Sequence, residues 1–163
     1  MKNLILKSLI FSSVITSIGC SNKEETATAP VIDKEQIKKE IQAKENEYAA
    51  TYNSGALKDI SYYADDAVVY AQNKGSVVGK DSIISYLKAG LDHSSKGNTI
   101  SCTTNEVFVS NDANQVVEVG YFKLVDSVNT LINSGNYMIL FEKRNGEYVS
   151  VREISTSDLP LEE

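Results

Sequence analysis

The chain has 163 residues, enough for one domain, with 42% hydrophobic and 23% charged residues, near ordinary globular usage. Its formal net charge is −6. An acidic surface repels phosphate backbones and anionic headgroups, so nucleic acid is excluded as a natural partner and a basic membrane-binding patch is not expected.

The first residues read as a targeting segment. Lys2 and Lys7 give a basic start, Leu4-Ile5-Leu6 and Leu9-Ile10-Phe11 begin an apolar run ending near Ile18, and Ser17-Ile18-Gly19-Cys20 follows. That layout describes a secretory signal, with an apolar core too short for a membrane span. Removing residues 1–19 lowers Lys plus Arg from 16 to 14 against 22 acids, a mature charge near −8. Residues 21–32 are polar and aperiodic, as in a flexible tether. Only two cysteines are present. If Cys20 is used up as part of the targeting segment, Cys102 has no disulfide partner, and it reads most simply as a small apolar core residue.

Asp33 is placed to cap a helix, with Gln36 three residues later in a capping-box arrangement. Ile37, Ile41, Tyr48 and Tyr52 form its inward stripe, while Lys38, Lys39, Glu40, Lys44, Glu45 and Glu47 cover much of the rest. Gly55 suits a left-handed cap. A second short helix is predicted from Ala56 to about Ala64, burying Leu57, Ile60 and Tyr63 or Ala64. Asp65-Asp66 ends it, and residues 67–71 read as a strand. Asn73-Lys74-Gly75 is a turn, Val77-Val78 a brief edge strand, and residues 80–92 a third helix carrying Ile83, Ile84, Leu87 and Leu91 inward.

The rest is β. Ile100, Cys102 and Thr104 alternate, then Val107 and Val109 alternate in the opposite phase, so a bulge is expected near Asn105. Residues 115–126, 131–143 and 147–156 complete the sheet, with Asn145-Gly146 as a hairpin turn. The order ααββαββββ means α+β: a curved antiparallel sheet around a long N-terminal helix, in a domain over 33–158 with a loose tail at 159–163.

Two resemblances add to this. Ser-Ile-Gly-Cys resembles a bacterial lipobox, which implies that Cys20 is lipidated and that the protein is anchored in the cell envelope. Ser21 then fits outer-membrane sorting, and Lys23-Glu24-Glu25 resembles the export signal of Bacteroidetes surface lipoproteins. The order of elements, with Ala64-Asp65-Asp66-Ala67-Val68-Val69 and then Gly79-Lys80-Asp81 opening a helix, resembles the SnoaL-like family of the nuclear-transport-factor-2-like superfamily. That resemblance implies a cone whose first helix lies across the concave sheet face, leaving a pocket between them.

Candidate chemistry is sparse. Asp65 and Asp66 are a carboxylate pair whose short side chains also suit turns and caps. Similarity to ketosteroid isomerase implies a base at the position of Ala71 and an oxyanion-hole acid near Ile139, and neither residue can transfer a proton. His93, the lone histidine, reads as a helix C-terminal cap, and a His-cluster metal site is excluded. Arg152 either turns inward to an anion (Asp66, Glu106, Glu118 or a ligand carboxylate) or pairs on the surface with Glu142 or Lys143, and Glu153 takes the opposite face. There are nine tyrosines and no tryptophan. Tyr48, Tyr52, Tyr63, Tyr70, Tyr121 and Tyr137 could face one concavity as an apolar wall with polar tips.

No nucleophile motif, phosphate loop or dinucleotide fingerprint occurs, and no metal or cofactor is expected. The leading expectation is a lipid-anchored domain that binds a small apolar or mixed ligand, or a protein partner, without catalysis. One alternative is an isomerase, dehydratase or cyclase using Asp66 with Tyr48 or Tyr52. The other is a homodimeric assembly module with Val117, Val119 and Val151 on an apolar outer sheet face.

Overall fold

The computed structural model describes residues 32–93 and 97–160. Helix α1 spans Lys34–Ser54. Asp33 Oδ1 accepts from the Gln36 amide at 3.0 Å, as the cap requires. The Gln36 side chain reaches forward to Glu40 instead of back to Asp33, so the capping box is half formed. Gly55 ends the helix at φ 75°, where a Cβ would be strained.

The expected second helix is a single 3-10 turn, Leu57–Asp59. Leu57 and Ile60 are buried as the pattern asked, but Tyr63 and Ala64 already belong to strand β1, Tyr63–Tyr70. The reason is tertiary. The Ser150 amide donates to the Tyr62 carbonyl at 2.8 Å, starting a parallel pairing that helical backbone could not offer. Asp65 and Asp66 therefore sit inside a strand, exposed, where the register with its parallel neighbour shifts between Tyr63 and Val68.

Strand β2, Val77–Val78, pairs antiparallel with β1. Helix α2, Lys80–His93, follows Gly79 and buries Ile83 completely. Four long strands complete the sheet: β3 Thr99–Val109, β4 Gln115–Val125, β5 Leu131–Arg144 and β6 Glu147–Ser155. The order is β2-β1-β6-β5-β4-β3, antiparallel except for β1 against β6, so the sheet is mixed where an antiparallel one was expected.

The phase slip in β3 is a register shift between Thr104 and Glu106, and the Asn105 carbonyl freed there accepts from Lys38 Nζ at 2.6 Å. Asn145 and Gly146 both take positive φ, the geometry a tight β5–β6 hairpin needs.

Edge strand β3 is covered by α1 through amide side chains. Gln42 accepts from the Thr104 amide at 2.8 Å and donates to the Cys102 carbonyl at 3.1 Å. Asn53 does the same with Ile100, at 2.7 and 2.9 Å. These four bonds satisfy edge backbone groups and fix the helix across the concave face. The core between them holds Ile41, Ile83, Val116 and Phe141. Val117 and Val119 lie half-buried on the outer face, but Val151 is core: the β5–β6 register shift between Leu140 and Phe141 turns it inward.

Candidate functional site: a tyrosine-walled cavity with a carboxyl cluster

Between α1, α2 and the sheet the fold leaves a cavity of about 530 Å³, within the size range of small-molecule sites. Its closed end is made by buried Glu45, Tyr62, Tyr63, Val69, Tyr137 and Ile139, while exposed Gln72, Lys74, Gly90 and His93 mark its mouth. Tyr48, Tyr52 and Phe122 supply side walls. The tyrosines touch one another: Tyr62 lies 4.9 Å from Tyr48, 5.0 Å from Tyr63 and 5.6 Å edge-on from Phe141, ring centre to ring centre.

Three glutamates converge behind this wall, each held by a tyrosine. Tyr62 donates to Glu45, Tyr63 donates to Glu153 at 2.9 Å, and Tyr137 donates to Glu118 at 3.1 Å. Glu45 and Glu118 are 1% and 0% exposed, and Glu153 opens onto the cavity. Among the described residues no ion pair reaches any of the three; the ion pairs fall on Glu47, Glu147, Asp66 and Glu142.

Uncompensated burial of carboxylates is costly, and the acids respond by holding protons. Burial, and then the neighbouring Glu118, push Glu45 well above the usual carboxylate range. Burial raises Glu118 too, against the opposing pull of hydrogen bonds from Thr104, Glu45 and Tyr137. Burial pushes Glu153 up to about 7, partly offset by the Tyr63 bond. Oε1 of Glu118 accepts from Thr104 at 2.6 Å and from Tyr137, whereas its Oε2 is buried with no hydroxyl or amide donor. Glu45 is the carboxyl neighbour of Glu118. A proton held on Glu45 beside Glu118 accounts for the direction of the Glu45 shift.

The sequence-predicted residues divide sharply. Tyr48, Tyr52, Tyr63 and Tyr137 line the cavity. Tyr70 does not: it is the last residue of β1, 47% exposed, on the outer face. Tyr121 also points out, with its hydroxyl on Asp158 at 3.2 Å, because β4 alternation turns Val116, Glu118 and Phe122 inward. Asp66 lies outside the cavity, clamped by both terminal nitrogens of Arg144 at 2.5 and 3.2 Å, which holds its carboxyl below the usual range. Arg152 is exposed and neither buried against an anion nor paired with Glu142 or Lys143; it donates to the backbone carbonyls of Asp66 and Val151. Arg144 has taken Glu142 instead. Ala71 and Ile139 do face the cavity, so the positions aligned with the isomerase acid and base are well placed but inert. His93 ends α2 at the mouth. Cys20 and the leader lie outside the described residues.

Glu45, Glu118, Glu153 and Tyr62 were not singled out from sequence as cavity residues. Glu45 was placed on the solvent side of α1, yet it occupies the slot four residues after Ile41 and four before Ala49, on the buried face. Glu118 shares the phase of Val116. Both signals were legible, but a glutamate beside lysines on a helix is ordinarily solvated.

Among the described residues, no group of three or more His, Cys, Asp or Glu is disposed to hold a metal. Nor is any helix there long and apolar enough to cross a membrane.

A helix laid across a curved sheet, with the cavity between them, is a cystatin-like α+β fold. Solved structures agree on that fold. A Nostoc punctiforme protein of unknown function with a cystatin-like fold superposes with TM-score 0.65 at 16% identity, over 76% of this chain and 92% of that one. A ketosteroid isomerase-like protein from Erwinia carotovora atroseptica gives 0.59 at 16% identity, over 75% and 96%. The hexachlorocyclohexane dehydrochlorinase LinA-type3 from Novosphingobium barchaimii gives 0.63 at 15% identity, over 76% and 88%. At such identities the likeness is one of fold. No protein-family model and no curated protein matches the sequence.

Proposed function

We propose that this chain is a small-molecule-binding cone domain carried on an envelope lipoprotein. The observation that carries the reading is the cavity of about 530 Å³, apolar along its walls and polar at its closed end. A chain needing only a packed core would fill that space with side chains. Gly90 supports the same view: it sits in α2 beside the cavity, where a Cβ would meet only the Tyr52 hydroxyl at 3.9 Å. Glycine weakens a helix interior, so its presence favours open space over helix stability. Native mass spectrometry of the purified protein, with dialysed and apolar-extracted samples compared, tests this; a retained mass beyond the lipidated chain supports it, and a chain that neither retains nor takes up any small apolar probe overturns it.

A second reading, acid–base catalysis, is favoured by one feature: Glu153 lies on the cavity wall with its carboxyl near pH 7, where a group can both take and give a proton. Asp66 no longer serves, because it faces away. Two of the structural neighbours, the ketosteroid isomerase-like protein and the dehydrochlorinase, bear enzyme names. Glu153→Gln abolishing turnover of a bound compound while leaving it bound would establish this reading.

The anchor and the assembly state are further parts of the proposal. The Ser17-Ile18-Gly19-Cys20 motif supports lipidation, and Cys20→Ser is expected to leave the protein in the soluble fraction. Cross-strand pairs Val119–Met138 and Met138–Ile154 give the outer face an apolar row that supports self-association, which sizing in solution tests.

A further inference from the structure

We propose that the closed end of the cavity receives a protonated amine with an apolar body, the ammonium lying against Glu153 and the tyrosine oxygens. This rests on the small-molecule reading and names its ligand class.

The hydrogen-bond inventory carries the inference. A tyrosine hydroxyl has one proton to give and lone pairs to spare. At the closed end every such proton already has a carboxyl acceptor: Tyr62 gives to Glu45, Tyr63 to Glu153 and Tyr137 to Glu118. What the closed end keeps facing the cavity is mostly oxygen lone pairs, while Tyr48 and Tyr52 on the side walls keep hydroxyl protons to give. A donor group reaching that end finds acceptors on every side. A carboxylate or phosphate would be brought against three carboxyls with no basic side chain beside them.

Charge points the same way. Glu45 and Glu153 line the cavity and Glu118 stands behind, its Oε2 buried and without a hydroxyl or amide donor. Among the described residues no Lys, Arg or His forms an ion pair with any of them. The basic side chains on the cavity wall, Lys74 and His93, are exposed at the mouth, and Lys74 lies 5.3 Å over the Tyr86 ring. Glu153, the carboxyl that opens on the cavity, has no counter-ion, and an ammonium would favour its ionised form while supplying three donors. The ring faces of Tyr48, Tyr62 and Tyr63 add attraction for a cation that they do not offer a neutral or anionic group.

Three compounds of one shape separate the outcomes: 2-phenylethylamine, 2-phenylethanol and 3-phenylpropanoate, titrated calorimetrically into the full-length protein. The amine is expected to bind at least about tenfold more tightly than the alcohol, and the carboxylate most weakly. Glu153→Gln is expected to bring the amine down to the level of the alcohol. Should that variant fail to fold, the native protein decides by pH. Amine affinity should rise from pH 5.5 to 8 as Glu153 ionises, with Glu45 and Glu118 able only to add charge in the same direction and Tyr48, Tyr62 and Tyr63 staying protonated. Alcohol affinity should not follow. An alcohol that binds as well as the amine overturns this proposal and leaves the small-molecule reading standing. No binding by any of the three overturns both.

Discussion

Tyr62 donates its phenolic proton to Glu45, seventeen residues earlier, and the two close the narrow end of the cone. Both are buried, one just before the first strand and the other on the helix that crosses it. The bond ties the helical layer to the sheet where the chain passes between them. Tyr62→Phe keeps the ring packing against Tyr48 and Phe141 and removes only the donor. Glu45 then loses a bond that lowers its pKa and becomes still harder to ionise. The expected cost is about 1–3 kcal/mol, measured as a lower urea midpoint with an unchanged slope.

The carboxyl cluster should give this domain an inverted pH profile. Glu153 binds its proton more tightly folded, at about 7, than at its ordinary value of 4.5. Between those values the native state holds more protons than the unfolded chain, so stability falls as pH rises. The contribution is fully present below pH 4.5 and lost as pH rises through 7. At 1.36 kcal/mol per pKa unit it amounts to roughly 3 kcal/mol, and Glu45 and Glu118 shift the same way. Urea midpoints should therefore be higher at pH 5 than at pH 8. Glu153→Gln should shrink the difference, leaving the part that Glu45 and Glu118 contribute. A protein more stable at pH 8 than at pH 5 would contradict the buried-acid picture.

Local rules carried the sequence reading a long way. The Asp33 cap, the Gly55 terminator, the bulge near Asn105 and the Asn145-Gly146 hairpin are set by residues within a few positions of each other, and each was legible. What failed was non-local. The Ala56–Ala64 helix lost to a parallel pairing with Ser150, nearly ninety residues away, and no local pattern announces that partner. Half of the site failed for the same reason. Tyr48, Tyr52, Tyr63 and Tyr137 were found because large apolar rings go inward. Glu45, Glu118 and Glu153 were missed because a buried acid makes sense only beside the tyrosine that bonds it, and those partners meet only in the fold.

Gly120 faces Tyr137 across the β4–β5 ladder, and a Cβ there would stand 2.1 Å from the ring. The missing side chain is what lets the ring lie flat and carry its hydroxyl to Glu118. Gly120→Ala must push the ring aside, breaking that bond and crowding the closed end of the cavity. The expected loss is about 1–3 kcal/mol. The double variant Gly120→Ala with Tyr137→Leu should recover part of it, because the clash is with the ring and not with backbone.

Asp66 has the opposite expectation. It forms a two-pronged pair with Arg144, but the pair is on the surface, where solvent screens it and holding two side chains costs entropy. Asp66→Asn should leave the melting temperature nearly unchanged and should not alter binding of any compound in the cavity. Loss of ligand binding in Asp66→Asn would return the carboxylate pair of β1 to the candidate site.

Gly90 offers the most direct test of the cavity. It lies three residues before the end of α2, at the mouth, and a Cβ would meet nothing but the Tyr52 hydroxyl at 3.9 Å. Gly90→Leu removes a poor helix former and adds a side chain over the opening. Helix propensity alone favours the substitution by somewhat under about 1 kcal/mol. The variant should thus be at least as stable as the native protein in urea, and its affinity for any cavity ligand should fall by about tenfold or more as the added atoms occupy the entrance. The two readouts move in opposite directions, which separates occlusion from unfolding. A variant that binds as the native protein does would show that ligands enter by another route or sit outside the cone.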